Sequence, residues 1–103
     1  MANPLLLVPL LALATAAPAP DPQTLADARC VVAMGSVIDT PDPKAKQLAV
    51  MTLLYFMGRI DGRSPGLDIK TVYDGEAKKM SPQEVKPMVQ SCIEQVQQRL
   101  ARG

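Results

Sequence analysis

The sequence has no histidine and no tryptophan, only three aromatic residues (Tyr55, Phe56 and Tyr73) and only two cysteines, Cys30 and Cys92. Without histidine there is no ordinary Ser-His or Cys-His nucleophile pair, and no imidazole to complete a metal site. The serines Ser36, Ser64, Ser81 and Ser91 follow no GxSxG pattern, and no glycine-rich phosphate loop occurs. Asp74 with Glu76 reads as the solvated side of a helix rather than a metal site. An excess of one charge is missing too: 11 Lys and Arg against 10 Asp and Glu leave +1 with the signs well mixed, which removes nucleic acid and an acidic membrane surface as expected partners. No stretch alternates as a strand would, and no internal repeat is present. A chain of 103 residues is one domain at most. These absences point to a non-enzymatic, all-α protein without cofactor or metal. A paired-carboxylate hydrolase is the enzymatic alternative, but so small a bundle leaves little room for a substrate cleft.

What is present begins with MANPLLLVPLLALATAAPAP, a leucine-rich core followed by alanines, with no charged side chain before Asp21. Residues 1–16 read as a secretory signal peptide cleaved before Ala17, residues 17–21 as an extended leader, and residues 22–103 as a single helical domain. About 13 apolar residues interrupted by Pro9 fall short of the roughly 20 that span a bilayer, so no stable membrane span is expected after cleavage. Export to the periplasm or beyond makes Cys30 and Cys92 disulfide partners.

Four helices follow from local signals. Asp21 caps and Pro22 opens the first, carrying Leu25, Ala28, Cys30, Val31, Met34, Val37 and Ile38 until Pro41 stops it, with a weak point at Gly35. Asp42 and Pro43 repeat the signal and start the second helix. Asp68 caps the third, with Leu67 and Val72 placed as a hydrophobic staple and Ile69, Val72, Tyr73, Ala77 and Met80 on one side. Gly75 weakens that helix, and Lys78 and Lys79 suit its carbonyl end. The fourth opens with the capping box Ser81-Pro82-Gln83-Glu84 and lines up Val85, Met88, Val89, Cys92, Ile93, Val96 and Leu100. Pro87 predicts a kink there, or a short first turn before the main helix.

The second helix, KAKQLAVMTLLYFMGRIDG from Lys44 to Gly62, is apolar around most of its circumference, so the other helices are expected to pack around it. Ala49, Val50, Leu53, Leu54, Phe56, Met57 and Ile60 share its broad side. Leu48, Thr52, Tyr55 and Arg59 form a half-polar strip, the candidate interaction surface. Its end, Gly58 to Arg63, reads as a stop signal with Gly62 as a left-handed cap. The same residues Arg59, Asp61 and Arg63 alternatively form a recognition patch or an ion-pair network between helices.

Met34, Met51, Met57, Met80 and Met88 recur on the apolar sides of all four helices. Methionine fills irregular core gaps, and it also makes adaptable surface when a core opens. With all ten carboxylates protonated the net charge would rise from +1 to about +11, a strong self-repulsion for so small a domain. Lacking histidine, the protein is expected to be nearly blind to pH between 6 and 8.

A short exported helical chain has here one cysteine in its first helix and an apolar helix ending in a glycine-containing basic segment. A Lys-Met-Ser-Pro run, Lys79 to Pro82, then leads through Val85 and Val89 to Cys92. In these features the chain resembles the HdeA/HdeB-type periplasmic acid-stress chaperones over roughly Arg29 to Ile93, and Cys30 and Cys92 carry over residue by residue. The resemblance implies a small disulfide-tied all-α domain, a homodimer at neutral pH, which acid dissociates and partly unfolds so that it holds unfolded client proteins soluble. The other reading is a structural or accessory protein that docks on one specific envelope partner without any acid switch.

Overall fold

The computed structural model describes residues 20–103, and the expected signal peptide and most of the leader lie outside the described residues. Four helices follow in order: α1 (Pro22–Gly35), α2 (Pro43–Arg63), α3 (Ile69–Lys79) and α4 (Pro82–Ala101), with no strand among the described residues. The two aspartate-proline starts form as expected. Asp21 Oδ1 accepts the Thr24 N–H at 2.7 Å, and Asp42 Oδ1 accepts the Lys44 N–H at 3.2 Å. Each satisfies one backbone donor that the first turn leaves open.

The helices do not pack around α2. The hub is α1, which lies against each of the other three, while α2 also meets α4. Ala28, Cys30, Val31, Val32, Ala33 and Met34 of α1 are all buried. The physical reason is side-chain size: alanine, valine and cysteine let three neighbours approach one axis closely. On α2, by contrast, burial is confined to the narrow stripe Ala49, Thr52, Phe56 and Ile60, and Met51 and Leu54 are 50% and 59% exposed.

Cys92 is fully buried on α4 and is bonded to Cys30, with the two Cα atoms 5.7 Å apart across 62 positions of sequence. The link runs through the main cluster of Val31, Met34, Ala49, Phe56, Ile60 and Val96. A second cluster joins Val32 and Ala33 to Met80, with Tyr73, Ala77 and Val85 at its edge.

Several local expectations are corrected. The first helix ends at Gly35 and not beyond Ile38, because the Ser36 hydroxyl turns back to the Ala33 carbonyl at 2.6 Å and Val37 N–H bonds Met34, tightening the last turn. A Cβ at Gly35 would stand 3.0 Å from the Tyr73 hydroxyl, so a larger residue there requires the tyrosine to give by a few tenths of an ångström. Gly62 is no left-handed cap, since the only positive φ among the described residues is at Gly103 and α2 continues to Arg63. Ser81 makes no side-chain cap, and α4 runs through Pro87 as one helix from Pro82. Pro87 and Gln83 are both exposed, so the carbonyl that the proline ring leaves unbonded is within reach of water. Leu100, expected in the core stripe, is 67% exposed because burial along α4 stops at Val96.

Candidate functional site

Burial of charge, not an open cleft, marks the unusual chemistry of this fold. Asp27 lies on α1 in helical phase with Thr24, Val31 and Met34, and only 1% of it is exposed. Its carboxylate is met from α2, where Arg59 and Arg63 stand one turn apart. Arg59 Nε donates to Asp27 Oδ2 at 3.2 Å and Arg63 Nη1 to the same oxygen at 3.0 Å. Gln23 donates to Oδ1 at 3.3 Å, and Arg63 also donates to the Thr24 hydroxyl at 3.3 Å. A buried carboxylate with three donors is satisfied, and it locks α1 to α2.

A second lock holds α1 to α3. Glu76, expected on a solvated side, is 4% exposed. Arg29 Nε of α1 donates to its Oε1 at 3.0 Å, and Lys79 donates to Oε2 at 3.2 Å. Burial raises the pKa of Glu76, but the hydrogen bonds and charges of Arg29 and Lys79 outweigh it, and the net shift is downward from 4.5.

Arg59 occupies a fixed place. Its Nη1 donates to the Tyr55 hydroxyl at 3.4 Å, and its guanidinium lies 5.8 Å from the centre of the Tyr55 ring and 6.0 Å from that of Phe56. The bond to Tyr55 and the charge of Asp27 outweigh burial and raise its pKa, so it stays charged. Tyr55 in turn meets Phe56 edge to face, with ring centres 5.1 Å apart.

The six residues expected to form an interaction surface therefore do not share one. Arg59 and Arg63 belong to the network between helices, with Asp27 as the acid, whereas Asp61 is exposed and has no ion-pair partner among the described residues. Leu48 is half-buried in an open apolar groove with Val37, Val89 and Ile93. Thr52 is fully buried, and its hydroxyl has no hydrogen-bond partner among the described residues. It cannot contact a partner. Replacing a stranded hydroxyl by a methyl group of similar shape removes an unmet polar group, so Thr52→Val is expected to stabilise the fold by about 1 kcal/mol in urea titration.

Sequence reasoning missed Asp27 and Glu76. One signal was available for Asp27: a carboxylate in phase with an apolar stripe, facing two arginines spaced by four on the next helix. Among the described residues no group of three or more carboxylates or cysteines is placed to hold a metal ion, and no helix is long and apolar enough to cross a membrane. Comparison with protein-family models, with curated proteins and with solved structures finds no match to this chain.

Proposed function

We propose that this is a small exported, non-enzymatic stress protein, an HdeA-like periplasmic chaperone that exposes apolar surface on acidification and binds unfolded client proteins. The observation that carries the reading is the pair of buried carboxylates, Asp27 and Glu76, each held by two cations where α1 meets another helix. Protonating both leaves Arg29, Arg59, Arg63 and Lys79 without counter-charge at those contacts. Attraction becomes repulsion there.

The sign of the pH dependence follows from Glu76. Its folded pKa is depressed, so its contribution is fully present above about 4.5 and is lost as pH falls through the lower folded value. The pKa values of Asp21 and Asp68 are also below 3.8, through the Thr24 backbone N–H and the Thr71 hydroxyl respectively, so their contributions fade in the same direction. Opening would release α2 and α3 from α1 and uncover Phe56, Ile60 and Met80, while the disulfide keeps α1 and α4 joined for reclosure.

Light scattering of an acid-denaturing client tests this. Aggregation at pH 2 to 3 is expected to fall in the presence of the protein, with no effect at pH 7. Asp27→Asn combined with Glu76→Gln should move the onset of suppression toward neutral pH, accompanied by binding of an apolar dye. Unchanged aggregation, with far-UV helicity and compactness retained at pH 2, would overturn the proposal.

A further inference from the structure

A groove of about 520 Å³ opens between α2 and the last turns of α4, lined by Tyr55, Arg59, Gln95, Gln98, Arg99 and Arg102. Three guanidinium groups face it and no carboxylate lines it. Arg99 and Arg102 have no ion-pair partner among the described residues. Arg59 is already held in place by Asp27 and Tyr55 through Nε and Nη1, and its remaining nitrogen makes no hydrogen bond among the described residues. A cation positioned in advance loses little freedom on binding an anion.

We propose that this groove binds an acidic peptide segment of a protein partner, with its Asp or Glu side chains on Arg59, Arg99 and Arg102 and its backbone within reach of the amides of Gln95 and Gln98. Three features favour a peptide. The space is several times larger than one oxyanion. It is concave, where a lipid surface would need an outward-facing basic patch. It lies at the carbonyl end of α4, whose partial negative charge disfavours a phosphate dianion more than singly charged carboxylates. The groove belongs to the closed fold at neutral pH, so it stands apart from the acid-opening reading.

The test is fluorescence anisotropy of a labelled hexaglutamate peptide at pH 7 and low salt, titrated with the full protein. Saturable binding is expected, weakened by added salt, with no binding of a hexalysine peptide. Arg99→Gln with Arg102→Gln should weaken it roughly tenfold or more. Both arginines are exposed, so unchanged far-UV circular dichroism is expected to accompany the loss. Lys44→Gln with Lys46→Gln removes the same charge from the exposed start of α2 and should leave binding within about twofold. Equal weakening by the two double variants would show diffuse attraction and overturn the proposal. So would tight binding of inorganic phosphate, or of vesicles rich in anionic lipid, in the absence of peptide binding.

Discussion

Replacing both cysteines, Cys30→Ala with Cys92→Ala, is expected to lower the unfolding free energy by about 4 kcal/mol. The disulfide closes a loop of 62 positions, and on the chain-entropy model its removal frees the unfolded chain by about that amount. Both sulfurs are also buried in the main cluster, so their loss leaves an under-packed space between α1 and α4. A domain of this size holds only about 4–12 kcal/mol in all, which makes the bond a large fraction of the total. Urea titration followed by far-UV circular dichroism measures the effect, with reduced wild-type protein as the companion sample. A loss below about 1 kcal/mol in both would show that α1 and α4 hold together without the covalent link. The expected loss also explains how so few aromatics suffice: Phe56 is the one aromatic ring that is fully buried, and a covalent closure supplements the small core around it.

Asp27→Asn should have the second largest effect, about 2–3 kcal/mol of stability lost at pH 7. Breaking a buried ion pair from one side commonly costs about 3–5 kcal/mol, but Arg59 and Arg63 are each about a third exposed and water compensates part of the loss. The asparagine keeps the shape, but the oxygen it offers to Arg59 and Arg63, which both bond Oδ2, carries no charge, and its amide nitrogen then faces the Gln23 donor at Oδ1. For a domain of this length the melting temperature should fall by roughly 10–20 °C. Glu76→Gln provides the comparison at the α1–α3 contact, where Arg29 and Lys79 are more exposed, so a smaller loss is expected. If Asp27→Asn melts with the wild type, that carboxylate contributes nothing net, and acid opening would rest on the Glu76 contact alone. Additivity of the two changes would show that the locks act independently although Asp27 and Arg29 stand only two residues apart on α1, each facing a different helix.

Legibility in the sequence followed the range of the interaction. Asp21-Pro22 and Asp42-Pro43 announced their helices because a cap and a fixed φ act within a few residues, and both caps are formed. Ser81-Pro82 announced a start correctly, although the serine side chain makes no cap bond. Gly62 misled, because a glycine near a helix end permits a left-handed cap without requiring one. The network was half legible: Arg59 and Arg63 were singled out, but their acid was not. Asp27 lies 32 and 36 positions away from them, and Glu76 lies 47 from Arg29, so no local pattern ties these charges together.

The sequence by itself determined that the chain is helical and where its helices begin, since capping and apolar periodicity are properties of short segments; the pairing of Cys30 with Cys92 was expected from export, and the bond is formed in the structure. Only the tertiary structure decided which helix lies at the centre and which charges leave water. Hydropathy favoured the greasy α2, whereas packing favoured α1, because small side chains admit three neighbours and large exposed ones such as Met51 and Leu54 do not. Burial of Asp27 and Glu76 then followed from where that choice brought the cations of α1, α2 and α3 together.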